Sequence, residues 1–405
     1  MNQDRDIGKA AKIVVLETTI EVMAEGKVRS ELDYNWVNSD QLLQQTCAKA
    51  REKTVVALDT EFIRTRTFYP KLGLIQLYDG EQLSLIDPLS ITDFSPFTAL
   101  LADPAVLKVL HACSEDLEVF QCYFKQQPKP MLDSQIMADF VGFQISSGFA
   151  KLVAHYLDIE LDKGAARTDW LARPLSEQQL QYAAADVWYL LPLYHKLIAL
   201  LQQTQWQSAV SEECEFLLNR AQQAPDPETA YLKIGNAWRL QGVRLMSLQL
   251  LAKWRMNTAI ERDLALNFVV KEQALYQAAE AQVKHTSELL DLGFHPNEIR
   301  RHGKKVLQLI AQAQKIETDQ YPEPIEQIAT LPSYKSTLKA LQRRLSEICP
   351  PEIAKENVAG RKTLHQLIKW VWLEQMNPQK QPRILQGWRK SYGERLLTVL
   401  TEQTA

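Results

Sequence analysis

The sequence has few cysteines and lacks any long apolar run. Its 405 residues include five Cys, and no two of them form a C-x-x-C pair. An odd number at long spacings disfavours a disulfide framework and a thiolate zinc site, and it suits a reducing compartment. No uncharged apolar stretch approaches the roughly 20 residues that span a bilayer. We therefore expect a cytoplasmic protein without a membrane-spanning segment.

The sequence also lacks a marked excess of either charge. It has 46 Lys and Arg against 49 Asp and Glu, a formal net charge of −3, and its apolar fraction of 46% is ordinary for globular proteins. This composition excludes a wholly disordered, collagenous or low-complexity chain. The motif G-x-x-x-x-G-K-[ST] is absent, which excludes ATP hydrolysis by a P-loop and gives no sign of a nucleotide cofactor.

Strand and helix patterns alternate over residues 33–205. Strand-like runs occur at 54–62, 72–80, 82–88 and 106–112. An Asp79-Gly80 turn between the second and third runs predicts a hairpin. Helices are predicted at 114–126 and, after a Ser176–Gln179 capping box, as one long helix reaching Ile198. Hairpin-linked strands with helices imply an α/β domain with a mixed sheet flanked by helices.

Strand signals stop after residue 205, and the rest of the chain has helical patterns. Proline-marked breaks near 225–227 and at 321–332 separate the helical blocks. The predicted organisation is an N-terminal extension at 1–32 without assigned function, the α/β domain at 33–205, a helical linker at 206–235, and two small all-α domains at 236–316 and 317–405.

The near-zero net charge conceals two basic helical blocks. Residues 239–315 contain 12 Lys and Arg against 7 Asp and Glu, and residues 335–395 contain 13 against 5. The remainder of the chain is therefore strongly acidic. Basic helical surfaces suit a phosphate backbone, although a solvated helical face explains most runs of this kind. The segregation nevertheless favours a nucleic-acid partner.

Five residues of the α/β domain form an ordered constellation. Asp59 and Glu61 lie on one face of the first strand, Asp116 begins a helix, and Tyr182 and Asp186 are four residues apart on another helix. Each signal alone is as easily a solvated strand end, a helix-start acid or a helix surface pair. Together, four carboxylates repel one another unless divalent cations such as Mg²⁺ or Mn²⁺ bind. Two such ions about 3.5–4 Å apart can promote phosphodiester hydrolysis.

Four segments then indicate a family. The segments are DTEFIRTRTFYPKLGLIQL, LHACSEDLEVF, RTDWLARPL and YAAADVWYLLP, and together they resemble ribonuclease D, of the DEDDy 3′→5′ exonucleases with a ribonuclease H-like fold. Residues 236–316 resemble the HRDC domain, and 317–405 resemble the second HRDC-like domain of that family. The resemblance implies two metal ions on Asp59, Glu61, Asp116 and Asp186, and a water oriented by Tyr182.

Basic and aromatic side chains outside the acidic set are candidates for RNA contact. Two groups qualify, one in the loop after the first motif and one in RRHGKK: Arg64, Arg66, Tyr69 and Lys71, and Arg300, Arg301, Lys304 and Lys305. They could hold phosphates or stack a base, and solvated basic surfaces are an equal alternative. We interpret Arg167, Asp169 and Trp170 as a structural loop near the site.

The combined interpretation is a metal-dependent 3′→5′ exoribonuclease. It would release nucleoside 5′-monophosphates from RNA 3′ ends, and the resemblance implies transfer-RNA precursors with 3′ trailers as substrates. We expect a monomer. The alternatives are a DNA-directed 3′→5′ exonuclease of the proofreading type, which shares the acid pattern, and a non-catalytic RNA-binding scaffold. The intact five-residue set disfavours the scaffold.

Overall fold

The computed structural model describes residues 31–161, 164 and 168–402. Residues 1–30 of the predicted N-terminal extension lie outside this range, as does Arg167. Within it, no helix combines the length and apolar character needed to cross a bilayer. The thiols of all five cysteines are free.

Among the described residues, six strands form one mixed sheet. The strands are β1 (Asn35–Val37), β2 (Val55–Ile63), β3 (Lys71–Tyr78), β4 (Leu83–Ile86), β5 (Leu107–Leu110) and β6 (Met131–Asp133). Their order across the sheet is β1-β4-β3-β2-β5-β6. Strand β3 is antiparallel to β2 and β4, whereas the β1–β4, β2–β5 and β5–β6 pairs are parallel. The prediction of a mixed sheet is confirmed.

The predicted hairpin joins β3 to β4. Gly80 has φ +92°, which glycine adopts without the steric cost that other residues meet. Asp79 Oδ1 accepts hydrogen bonds from the backbone N–H groups of Glu81 and Gln82 at 2.9 and 2.6 Å. The turn therefore has local chemistry that fixes the strand register.

Eight helices surround or follow this sheet within the described part of the first half of the chain. They are α1 (Asp40–Ala50), α2 (Ser95–Ala102), α3 (Ser114–Tyr123), α4 (Ser134–Phe140), α5 (Phe149–Leu157), α6 (Glu177–Trp188), α7 (Leu190–Leu201) and α8 (Gln207–Ala221). The Ser176–Gln179 capping box is present at the start of α6. The prediction of one long helix to Ile198 is wrong, because the helix breaks at Tyr189. Pro192 has no N–H to bond the Trp188 carbonyl, which explains the break.

The remaining described helices form two groups. The first group is α9 (Gly242–Arg262), α10 (Leu266–Val269), α11 (Glu272–Ala281), α12 (Glu288–Asp291) and α13 (Pro296–Ala313). The second group is α14 (Tyr334–Ile348), α15 (Lys355–Ala359), α16 (Arg361–Trp372) and α17 (Lys390–Glu402). The first group has its own apolar core, to which Phe68 of the α/β domain contributes.

The second helical group continues the apolar core of the α/β domain. One buried cluster combines residues from 32–218 with residues from 328–400. Trp388 packs against Phe140 and Trp206 with ring centroids 5.2 and 5.8 Å apart, and its Nε1–H donates to Glu213 at 2.7 Å. Arg389 also pairs with Glu213. Residues far apart in sequence thus share one core, while the predicted domain bounds stay predictions.

Candidate active site

Strand β2 presents two acidic side chains on one face of the sheet. Asp59 pairs with Gln76 and Glu61 with Leu74 in the antiparallel register with β3. Alternate residues of a strand point to the same side. One carboxylate oxygen from each of Asp59, Glu61 and Asp186 lies within 4.8 Å of the other two. The strand and helix α6 thus bring together three of the predicted site residues.

Helix α3 adds the fourth acid. Asp116 lies in the first turn of α3 and is 8% exposed. The Thr60 hydroxyl donates a short hydrogen bond to its carboxylate. Burial raises the pKa values of Asp59 and Glu61, and the charge of Asp116 raises them further, which places its carboxylate in the same electrostatic cluster. The four predicted acids are therefore neighbours.

Helix α6 supplies Tyr182 together with Asp186. The two residues are one helical turn apart, and the Tyr182 hydroxyl donates to the Asp186 carboxylate. The capping box and packing against β2, β3 and β4 hold this helix against the sheet. The Tyr182 ring also packs beside Trp170, with ring centroids 6.2 Å apart. Its hydroxyl is thus held at the edge of the carboxylate cluster.

Burial dominates the electrostatics of the cluster. It raises the pKa of Glu61 to about 9 and the pKa values of Asp116 and Asp186 to about 7. Burial, followed by the charges of its three acidic neighbours, raises the pKa of Asp59 well above its usual range. The same two causes raise the pKa of the Tyr182 hydroxyl. At neutral pH this cluster favours bound protons or bound cations over bare negative charge.

The donor set fits a hard divalent cation. All the converging ligand atoms are carboxylate oxygens, the type that Mg²⁺ and Mn²⁺ prefer over nitrogen or sulfur. No lysine or arginine side chain forms an ion pair with these carboxylates among the described residues. A cation from solution is therefore the natural partner of the cluster.

A tightly held loop lines the site beside Tyr182. Arg173 binds Asp87 through two nitrogens, at 2.6 and 3.0 Å, and donates to the carbonyl oxygens of Gly73 and Trp170 at 2.7 and 3.0 Å. Trp170 is 1% exposed. A Cβ at Gly73 would lie 2.6 Å from the Trp170 carbonyl oxygen, so only glycine allows this approach. Of the predicted structural loop, the structure describes Asp169 and Trp170, and Trp170 lies beside Tyr182.

The basic loop after β2 joins the α/β domain to the first helical group. The Ala265 N–H donates to the Arg66 carbonyl at 2.9 Å, and the Tyr69 N–H donates to Asp263 Oδ1 at 3.0 Å. The Phe68 side chain lies in the core of that helical group. The loop proposed for RNA contact therefore has an interdomain role that the sequence did not indicate.

The side chains of this loop differ in their freedom to contact RNA. Arg64 forms an ion pair with Glu118, at 2.5 Å, and donates to the Phe68 carbonyl at 3.1 Å. The Tyr69 side chain is 38% exposed, and Lys71 is also exposed. Tyr69 and Lys71 are therefore better placed than Arg64 to meet a ligand.

The second basic set lies on helix α13. This helix is far from the acidic cluster in sequence, and it packs on the core of the first helical group. Its members are exposed, and none has an ion-pair partner among the described residues: Arg300, Arg301, Lys304 and Lys305. The opposite side of α13 buries His302, Gly303 and Val306. The helix thus presents its positive charges to solvent.

Sequence reasoning missed two contacts at the site, one of which had no signal in the sequence. Strand alternation assigns Thr60 to the face opposite Asp59, so its hydrogen bond to Asp116 arises only from the placement of α3. The approach of Trp170 to Gly73 could have been suspected from a glycine inside a strand pattern.

Comparison with known proteins matches three parts of the chain to families. Residues 34–202 match the 3′-5′ exonuclease family, residues 244–310 the HRDC domain, and residues 332–397 the ribonuclease D C-terminal HRDC domain. These matches confirm the predicted fold class.

Full-length relatives extend the match. Ribonuclease D of Haemophilus influenzae is 52% identical over 366 residues, which cover 90% of this chain and 92% of that protein. Ribonuclease D of Cronobacter turicensis is 47% identical over 367 residues, covering 90% and 99%. The crystal structure of Escherichia coli RNase D, described as an exoribonuclease involved in structured RNA processing, has a TM-score of 0.87 at 45% identity and covers 92% of this chain and 99% of that chain. The chain belongs to the ribonuclease D family of 3′→5′ exoribonucleases.

Proposed function

We propose that this protein hydrolyses RNA one nucleotide at a time from the 3′ end and releases nucleoside 5′-monophosphates. One observation supports this proposal above the others: carboxylate oxygens of Asp59, Glu61 and Asp186 converge within 4.8 Å, beside Asp116 and the Tyr182 hydroxyl. These five residues are the catalytic set that the family resemblance implies. A DNA-directed activity has no comparable support from the relatives.

The four carboxylates would hold two divalent ions, Mg²⁺ or Mn²⁺. When bound, such ions supply a nucleophilic water at neutral pH and charge stabilisation for the leaving oxygen. The cluster would release protons on binding the ions, because burial keeps Asp116 and Asp186 partly protonated near pH 7. The Tyr182 hydroxyl stays protonated, since its pKa is raised, and Asp186 fixes its direction. It can therefore orient the attacking water.

Transfer-RNA precursors with 3′ trailers are the proposed substrates. The exposed basic side chains of α13 and of the loop after β2 would bind the folded body and the single strand of such an RNA, respectively. Structured RNA is what the Escherichia coli relative is described as processing. We place the activity in the cytosol, in a monomer organised as the domains predicted above, and the five free thiols suit that compartment.

A trimming assay on one 3′-extended transfer-RNA precursor tests the proposal. Asp186→Asn should abolish trimming while a gel shift still detects RNA binding, and EDTA should abolish trimming by the wild type. Tyr182→Phe should lower kcat on the order of 10²-fold, the usual cost of a misplaced reacting group. Asp319→Asn, an exposed carboxylate remote from the cluster, is the matched control and should leave the rate unchanged.

Three outcomes would contradict this function. Full activity of Asp186→Asn would remove the cluster from catalysis. Faster hydrolysis of single-stranded DNA than of RNA with the same 3′ sequence would favour a DNA exonuclease, since the 2′-OH is the chemical difference. RNA binding by the wild type with Mg²⁺ or Mn²⁺ but without mononucleotide release would indicate a scaffold.

A further inference from the structure

A groove of about 620 Å³ lies at the start of β3 and the end of α3. Its lining includes two tyrosines, two lysines and an apolar floor: Tyr69, Tyr123, Lys71, Lys125, Leu72 and Leu171. The groove is formed where the first helical group meets the α/β domain, since Asp263 also borders it. Its volume is within the range of about 300–1,000 Å³ that is typical of ligand sites.

The walls of the groove continue elements that build the active site. Lys71 opens β3 and pairs with Ile63, two residues beyond Glu61 and thus about 7 Å along β2. Tyr123 ends helix α3, whose first turn carries Asp116. Leu171 follows Trp170, which packs beside Tyr182. A chain leaving the carboxylate cluster in this direction would enter the groove.

The two tyrosines offer aromatic surface to this groove. Tyr69 is 38% exposed and Tyr123 is 45% exposed. The Tyr123 ring is held by its hydroxyl, which accepts from the Leu72 N–H at 2.9 Å. The backbone of Tyr69 is held by its N–H, which donates to Asp263 at 3.0 Å, and its ring packs edge-on against Phe68 with ring centroids 5.0 Å apart. Fixed, exposed rings are the surfaces on which single-stranded bases stack.

The two lysines give the groove a positive charge. Lys71 and Lys125 are exposed, and neither has an ion-pair partner in the described part of the chain. The carboxylate of Asp263 already accepts the Tyr69 N–H, which satisfies part of its hydrogen-bonding capacity. Aromatic rings interleaved with free ammonium groups complement alternating bases and phosphates, and an apolar peptide would leave both lysines unpaired.

We propose that this groove binds the single-stranded RNA segment just upstream of the 3′-terminal nucleotide. Bases stack on Tyr69 and Tyr123, and phosphates lie beside Lys71 and Lys125. The inference rests on the proposed function, because it assigns a position to the substrate of the same active site. It adds Tyr123 and Lys125 to the residues proposed for RNA contact and predicts that a substrate longer than the reacting nucleotides gains affinity.

A matched pair of variants separates stacking from structure. Tyr123→Phe and Tyr123→Leu both lose the hydrogen bond to the Leu72 N–H, but only Tyr123→Phe keeps an aromatic ring. With an eight-nucleotide RNA, Tyr123→Leu should have a KM roughly 5- to 160-fold above that of Tyr123→Phe, the range expected for one stacked base. With the shortest RNA that the wild type hydrolyses, the two variants should have equal KM values.

The lysines are tested by salt dependence. Lys125 has φ +52°, so Lys125→Gly removes the side chain without backbone strain, and Lys71→Gln removes the second charge. Fluorescence anisotropy of the eight-nucleotide RNA in EDTA should show the slope of log Kd against log salt reduced by about 1.4 in the double variant, or about 0.7 per phosphate contact. Lys196→Gln, an exposed lysine on α7, should leave the slope unchanged.

The proposal fails if Tyr123→Leu and Tyr123→Phe have the same KM for the eight-nucleotide RNA, or if their KM values differ equally at both lengths. It also fails if the double lysine variant keeps the wild-type salt slope. A wild-type protein that hydrolyses RNA of no length would instead refute the proposed function. The two failures are therefore distinguishable.

Discussion

Replacing Asp186 with Asn is expected to stabilise the metal-free protein while it removes activity. Burial raises the pKa of Asp186 to about 7, compared with an ordinary value of 3.8. At pH 8 the group is ionised in the folded and unfolded chains alike, so the folded state bears the full cost of the shift. At 1.36 kcal/mol for each pKa unit, the upper limit of this cost is about 4 kcal/mol. Asparagine avoids it and can still accept the Tyr182 hydroxyl.

The pH dependence has a definite sign. Since the pKa in the folded state lies above that in the unfolded state, the favourable contribution of protonated Asp186 is complete below about pH 4 and is lost as the pH rises through about 7. The stability advantage of Asp186→Asn should therefore grow between these values and level off above them.

Thermal unfolding in EDTA from pH 5 to 8.5 measures the effect. A change of 1 kcal/mol shifts Tm by about 2–4 °C in domains of 150–250 residues, so the Tm of Asp186→Asn should exceed that of the wild type by at most roughly 8–16 °C at pH 8. Added Mg²⁺ or Mn²⁺ should raise the Tm of the wild type more than that of the variant. Asp319→Asn, at an exposed position, should match the wild type throughout.

Two results would refute this reasoning. A variant less stable than the wild type at pH 8 in EDTA would mean that Asp186 stabilises the fold even without a cation. A difference in Tm that does not change with pH would mean that the effect comes from packing and not from the charge.

Two further predictions concern packing around the site. Gly73→Ala should lower the free energy of unfolding by about 1–3 kcal/mol and reduce kcat, because the new Cβ would displace Trp170. Gly148→Ala is the control and should be tolerated, because nothing lies within 4 Å of its Cβ position. Urea unfolding compares the two variants, and equal stability would contradict the prediction. Phe68→Ala should lower the stability of the α9–α13 core by up to about 3–5 kcal/mol. Hydrogen exchange should then increase in α9–α13 and not in β2–β6, and unchanged exchange in these helices would count against it.

Local periodicity was sufficient to predict much of the candidate site. Alternation along a strand brings Asp59 and Glu61 to one face, and one helical turn brings Tyr182 to Asp186. These relations are internal to one strand and one helix, so no tertiary information is needed. The approach of Asp116 depends on how α3 docks, which the family motif implied and the residue pattern alone did not.

The basic loop after β2 makes contacts that the sequence did not predict. Its composition was equally consistent with RNA contact and with a solvated basic surface. Instead, Phe68 packs in the core of the first helical group, and the Tyr69 N–H donates to Asp263, which is 194 residues later in the chain. A local sequence pattern does not indicate a contact between residues so far apart in the chain. The break between α6 and α7 is different, because Pro192 was visible in the sequence and excludes a continuous helix.

The core shared by residues 32–218 and 328–400 has a consequence for the synthesis of the protein. A ribosome makes the chain from the N-terminus at about 5–20 residues per second. The surface around Phe140 and Trp206 therefore stays uncovered until Trp388 has been made. The α9–α13 helices, whose core is almost entirely local in sequence, can form during that interval. The nascent exonuclease thus carries an uncovered apolar patch until Trp388 has been translated, and it is prone to aggregation during that interval.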